Sequence, residues 1–333
     1  MDDRLYVKFW GTRGSCPAPY RDRMKYGGNT SCMSAAWEGG LAVFDGGTGI
    51  VGLGQYLAGK GELREMTGGI QPAREEVGPG PGEACPGPES ACLGPERVGP
   101  GPESACPGPG EAGSGPIHIF ISHLHLDHIS GLPLFTPFFR KDAEIHIYGE
   151  ARDGMSLEQV LSRVLGPPYW PVTFKDMQAR IIWHQVEADR EYTLKGGASV
   201  RTMRAGHPNQ CLLYRLETGG NSLVYGLDCE LTDTLWDRYR EFSRSCGLLV
   251  FDAAYKEEEY AAYRGYGHGT WQQAVEMARQ CGAGRLCLTH HEWGRRDREL
   301  EEMEKTIQNQ GVNAVFANED RVILLGNPKE EAV

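Results

Sequence analysis

Three observations predict an α+β chain built from two sheets covered by helices. Short apolar stretches of strand length recur along most of the sequence. Helical periodicity is confined to a few segments, and these lie between the strands rather than in one block. The hydrophobic content of 40% and seven Trp supply the side chains for a sizeable core.

In chain order, residues 5–10 (LYVKFW) alternate and read as an opening strand that Gly11 breaks. Gly and Pro dominate 11–19 (GTRGSCPAP) and 26–32 (YGGNTSC), which are therefore loops. Their glycines allow close approaches that other residues resist. A strand over 41–44 ends at Asp45 in FDGGTG, and a helix follows over 50–58. After residue 116, strands are predicted at 143–148, 181–186, 199–205, 211–217, 222–227, 248–251, 285–289, 314–317 and 322–325. Ser156 and Gln159 form a capping box for a helix over 157–164, which GPPYWPV ends. A helix is expected at 232–244. In 270–280, Trp271, Ala274, Val275 and Ala278 share one helical face, and GAG terminates it. Asp297 is expected to cap a charged helix that runs to Gly311.

One segment departs from this pattern. From Pro79 the chain repeats every seven residues, as in PGPESAC at 86–92 and again at 100–106. A heptad invites a coiled coil, but the recurring prolines forbid a helix and nothing apolar recurs. Residues 78–116 are read as a flexible, partly extended insert in a single domain spanning 1–333.

The net charge of −11 argues against a protein whose main task is to grip long nucleic acid, though it permits a local site for a small anion. Ten cysteines are scattered without a CxxC pair, and the first residues are charged and then strand-like. Reduced thiols and a cytoplasmic location are expected. No apolar run reaches the ~20 residues of a membrane span.

The chemistry begins in IHIFISHLHLDHISGLPLF, residues 117–135. His123, His125, Asp127 and His128 follow a buried strand within six positions, as HxHxDH. Imidazole and carboxylate are the usual donors to zinc and its neighbours. Three later strands also end in such a residue: His207, Asp228 and His290. Counted together they divide into His123, His125 and His207 for one ion and Asp127, His128 and His290 for a second, with Asp228 between.

With these residues the chain resembles the metallo-β-lactamase superfamily over nearly its whole length outside the insert. HxHxDH is highly specific to that superfamily, and His207, Asp228 and His290 match its other ligand positions in order and spacing. The resemblance implies a four-layer αββα sandwich with two divalent metal ions at one edge, zinc above all, manganese and iron being alternatives. GTRGSCPAP, YGGNTSC, FDGGTG and GYGHGTWQQAVEMA resemble the phosphodiesterase branch, which holds tRNase Z and the cyclic phosphodiesterases. Relatives often read His-Ser-Thr where this chain has His268-Gly269-Thr270. The branch implies hydrolysis of a small or cyclic phosphodiester by a metal-bridging hydroxide, with Asp127 and His268 catalytic and His268 touching the phosphate or protonating the leaving group. Two divalent ions, less two carboxylates and a hydroxide, leave about +1 locally, which favours an anion. A homodimer is implied as well. Asp45 is expected to orient the ligand loop, Arg13 and Asn29 to reach substrate, and Glu230 to partner His268. Competing readings are tRNA 3′ processing, thioester or lactone hydrolysis, and a metal-binding sensor without activity.

Overall fold

The computed structural model of the protein describes residues 4–59 and 115–326. The heptapeptide repeats, and with them the insert expected at 78–116 apart from Gly115 and Pro116, lie outside the described residues.

Among the described residues the strands form two seven-stranded sheets. The first contains β1 (Leu5–Gly11), β2 (Cys32–Trp37), β3 (Gly40–Phe44), β4 (Ile117–Phe120), β5 (Glu144–Gly149) and β6 (Arg180–Gln185), with the last strand of the chain, β14 (Val322–Leu325), beside β1. The second runs in spatial order from β13 (Ala314–Phe316) through β12 (Leu286–Thr289), β11 (Leu248–Asp252), β10 (Asn221–Gly226), β9 (Cys211–Thr218) and β8 (Ser199–Ala205) to β7 (Glu191–Thr193). Each sheet is antiparallel on one side and parallel on the other: β3 to β6 in the first, β10 to β13 in the second.

The strands are apolar on both faces because both faces are covered. On β11, Leu248 and Val250 face the space between the sheets, where Phe44, Phe120, Tyr214 and Tyr225 pack. Leu249 and Phe251 face outward onto α6 (Trp271–Cys281) and α7 (Asp297–Asn309). The outer face of the first sheet is covered by α1 (Ile50–Ala58) and α3 (Leu157–Val164), through Leu53, Leu57, Leu157 and Leu161. The result is the αββα sandwich.

Two local expectations are corrected. β2 lies partly in a predicted loop: CMSAAW carries little strand propensity, and it forms because β1 and β3 pair with it antiparallel from both sides. Asp297 does not cap its own helix. Arg296 is the capping position, and the Asp297 carboxylate accepts the backbone N–H groups of Lys25 and Tyr26 at 3.1 and 3.3 Å, tying α7 to the N-terminal loop. By contrast, α3 has the predicted Ser156–Gln159 capping box, and Gly282 ends α6 at φ +69°.

Strand direction decides where chemistry collects. β4, β8, β10, β11 and β12 deliver their C-terminal ends to one edge of the sandwich, where ligands of open α/β sheets also gather.

Candidate metal centre

All seven residues singled out by strand ends and HxHxDH come together at that edge. His123, His125, His207 and Asp228 offer donor atoms within 4.8 Å of one another, and Asp127, His128 and His290 form an adjoining group within the same limit. Asp228 straddles the two. Its Oδ2 lies 3.5 Å from His123 Nε2 and 3.7 Å from His207 Nε2, while its Oδ1 lies 3.3 Å from His128 Nε2 and 3.1 Å from His290 Nε2.

Local structure explains the convergence. After β4 the chain stays extended through His125 and then turns into α2 (Leu126–Ile129), so the two halves of HxHxDH point into different groups. On this turn the usual polarity is inverted: Leu126 is 63% exposed, whereas Asp127 and His128 are buried. Asp45, Asp228 and His290, each at a strand end, have φ of +60°, +52° and +59°, a left-handed conformation that costs a non-glycine residue energy. Gly14 lies so close to His290 that an added Cβ would stand 2.3 Å from the imidazole Cε1. Gly267, at φ +91°, lies equally close to His207.

The far sides of the rings are held by fixed partners. Buried Asp45 accepts hydrogen bonds from Ser122 N–H (2.7 Å), Ser122 Oγ–H (2.8 Å), Tyr225 O–H (2.9 Å) and His128 Nδ1–H (2.7 Å). His123 Nδ1–H donates to Ser122 Oγ at 3.0 Å, and His207 Nδ1–H to the Gly267 carbonyl at 3.0 Å. Each bond fixes a tautomer that leaves Nε2 bare toward the cluster. Asp127 Oδ2 accepts the Ser15 N–H at 2.8 Å from the GTRGSC loop. The Asn209 amide reaches His125 Nε2 at 3.2 Å.

The inward atoms have no such partners. His123 Nε2, His128 Nε2, Asp228 Oδ1 and both ring nitrogens of His290 are buried without an aligned hydrogen bond. At roughly 1–3 kcal/mol for each orphaned buried group, the cluster would cost about as much as a domain's whole net stability, ~5–15 kcal/mol. Cations remove that cost. Two donors about 2.1 Å from one zinc at the tetrahedral angle stand about 3.4 Å apart, which matches the separations here. At His128, burial would lower the pKa but Asp228, Asp127 and Asp45 raise it, so an ion there would displace a proton; protonation of the other group agrees directly with metal binding. Burial pushes the pKa of His123, His125 and His207 down, keeping them neutral donors. Burial would raise the pKa of Asp127 and Asp228, but His128 and neighbouring histidines hold both well below the usual carboxylate range. The clusters are therefore suited to divalent metal ions.

Beside them, His268 is paired with Asp252 and not with the expected Glu230. His268 Nδ1–H donates to Asp252 Oδ2 at 2.7 Å. Burial alone would lower the His268 pKa, but the Asp252 charge and hydrogen bond outweigh it and raise it to about 9. Asp252 also accepts the Asp228 N–H at 3.1 Å and the Ala254 N–H at 3.0 Å, so it ties His268 to the straddling carboxylate. It ends strand β11, and the rule that found His207, Asp228 and His290 applied to it equally. Glu230 is not the partner of His268: its carboxylate accepts the Tyr260 hydroxyl at 2.6 Å and the Gly265 N–H at 2.9 Å. Arg13 and Asn29 do not reach toward substrate either. The buried Arg13 guanidinium donates to the carbonyls of Gly27, Arg295 and Arg23, and Asn29 binds Glu319. Both brace the loop that presents Ser15. His291 points away, to the Ala317 carbonyl.

Residues 86–291 match the family model described as Beta-lactamase superfamily domain, more than half of the chain. The chain belongs to the β-lactamase superfamily. Ribonuclease Z of Haloarcula marismortui is 23% identical over 217 residues, 52% of this chain and 68% of the relative. The probable metallo-hydrolase YhfI of Bacillus subtilis is 27% identical over 203 residues, 59% of this chain and 74% of its own. The crystal structure of YhfI, a metallo-β-lactamase fold protein, superposes with a TM-score of 0.60 at 17% identity, covering 97% of this chain and 100% of YhfI. The short form of human tRNase Z superposes with a TM-score of 0.56 at 20% identity, covering 96% and 98%. Both place this superfamily member in the metallo-β-lactamase fold. The exclusion of long nucleic acid drawn from net charge is not supported, because relatives matched over half of the chain are ribonucleases by name. Net charge averages the whole surface, whereas a substrate meets the field of the site. Among the described residues, no helix is long and apolar enough to cross a membrane.

Proposed function

We propose that this chain is a metal-dependent hydrolase that cleaves a small or cyclic phosphodiester. The Asp252–His268 pair, set against the edge of the Asp228 cluster, is the observation that carries this reading. Two divalent ions, when bound, polarise the phosphoryl oxygens and supply a water acidic enough to attack at neutral pH. His123, His125 and His207 would hold one ion, and Asp127, His128 and His290 the other, with Asp228 shared. Zinc suits this set of imidazole and carboxylate donors, as do manganese and iron.

The remaining work falls to the chain itself. The carboxylate of Asp127, steadied by the Ser15 N–H, orients the attacking water. Asp252 fixes the His268 ring through Nδ1, so Nε2 is the atom that exchanges a proton with the oxygen leaving phosphorus. Hydrolysis of a thioester expels a thiolate that does not need this proton, which is why the pair favours an alkoxide leaving group.

Leaving-group dependence tests the reading. His268→Ala is expected to slow cleavage of a diester with an alkoxide leaving group by about 10²–10⁴-fold. Its effect on a p-nitrophenolate diester should be much smaller, with metal content unchanged. Equal losses on both would remove His268 from acid catalysis, and no cleavage of either by metal-loaded wild-type protein would remove the phosphodiesterase reading. The Ribonuclease Z relatives support a second reading, an RNA substrate processed at the same site. Cleavage of precursor tRNA in preference to small diesters would establish it.

A further inference from the structure

From the last residue of α5 (Glu257–Tyr260) to the start of α6 the chain reads YAAYRGYGHGT, with tyrosines at 260, 263 and 266. Tyr266 is 61% exposed and Tyr263 38% exposed. They are not loose side chains. Tyr266 meets Tyr263 edge-on with ring centroids 5.9 Å apart, and Tyr263 stacks on buried Tyr255 at 4.3 Å with the rings 8° from parallel. Tyr255 in turn meets His268 edge-on at 6.0 Å. A continuous file of rings therefore leads from solvent to the proposed proton donor.

The backbone ties the outer end of the file to the site through Gly267. Tyr266 is followed by Gly267, whose carbonyl takes the His207 Nδ1–H at 3.0 Å. The Tyr266 N–H bonds to the Tyr263 carbonyl at 3.1 Å, and the Gly265 N–H is anchored to buried Glu230 at 2.9 Å. An exposed ring held from behind and fixed one residue from the site is pre-organised for a planar group, since little freedom is lost on stacking.

We propose that Tyr266, backed by Tyr263, is the specificity-determining platform of this site, selecting phosphodiesters that carry a heteroaromatic base beside the phosphorus. The proposal rests on the phosphodiesterase reading for its reaction, but not for the binding it asserts. Stacking on an aromatic side chain accepts any base, because each has a π face, so the platform selects nucleotides over alkyl diesters without choosing among bases.

Two substrates with the same leaving group test this: thymidine 5′-(p-nitrophenyl phosphate) and methyl p-nitrophenyl phosphate. In Tyr266→Ala, KM for the thymidine diester is expected to rise roughly 5- to 100-fold. The methyl diester should be cleaved as by wild type, and Tyr266→Phe should restore the thymidine KM. Equal losses on both diesters would make Tyr266 a brace for Gly267 and overturn the proposal, as would no change on either. Equilibrium binding of thymidine 5′-monophosphate to the same metal-loaded variants separates the two readings. If wild-type protein cleaves neither diester yet Tyr266→Ala weakens this binding, the phosphodiesterase reading fails and the platform stands. Unchanged binding would sink the platform.

Discussion

Asp45 shows what one residue can organise. Its two oxygens accept four hydrogen bonds, which set the His128 tautomer, the Ser122 rotamer and, through Ser122, the His123 ring. Asp45→Asn should keep the volume but lose the charge that holds the His128 proton on Nδ1. Metal affinity at the group containing His128 is expected to fall about 10–100-fold, as measured by competition with a chromogenic chelator. Gly14 makes a steric case at the same scale. In Gly14→Ala the new methyl must displace the His290 ring, because no side-chain rotation relieves a contact made by Cβ. Bound metal should drop below two ions per chain while the far-ultraviolet circular dichroism stays native. Asp252 was as legible as its neighbours, being an acid at the end of an apolar strand.

Between the sheets, β4 contributes a buried histidine unconnected with the metal groups. His118 Nε2–H donates to the Lys195 carbonyl at 2.9 Å, and its Nδ1 accepts the Tyr148 hydroxyl at 3.0 Å. The bond from Tyr148 requires the neutral ring, and burial lowers the His118 pKa from 6.5 to about 4. Above pH 6.5 the ring is neutral folded or unfolded, and its contribution to stability is complete. As pH falls below 6.5 the unfolded chain gains a proton that the fold refuses, so stability is lost progressively down to pH 4, by up to about 3 kcal/mol. His118→Gln should flatten the dependence of urea midpoint on pH between 6.5 and 4 relative to wild type. The elements themselves were mostly legible because their periods are strong, α6 and α3 down to their caps. β2 was not, because CMSAAW becomes a strand only when β1 and β3 are there to pair with it.

For the molecule as a whole, the metal groups sit between two sheets and draw on strands from both. β4 and the Asp45 turn belong to the first sheet, and β8, β10 and β12 to the second. Bound ions would therefore cross-link the layers rather than decorate one of them. Removing metal should lower stability by RT ln(1 + [L]/Kd) per site, about 4 kcal/mol for an ion at a thousandfold excess over its Kd. Differential scanning calorimetry with and without chelator should show Tm falling by several degrees and returning when zinc is restored. An unchanged Tm would mean that the clusters do not bind ions in the folded protein.

The sequence by itself determined the donor types and their places at strand ends. Those are local facts, written in side-chain chemistry and in the alternation of apolar runs with turns. Tertiary structure alone decided which carboxylate holds which imidazole, that Arg13 serves the scaffold, that Glu230 anchors a loop, and that Tyr266 stands exposed at the outer end of a file of rings leading to His268. Each of these depends on distances between segments far apart in the chain, and such distances exist only once both sheets have brought their strand ends to one edge.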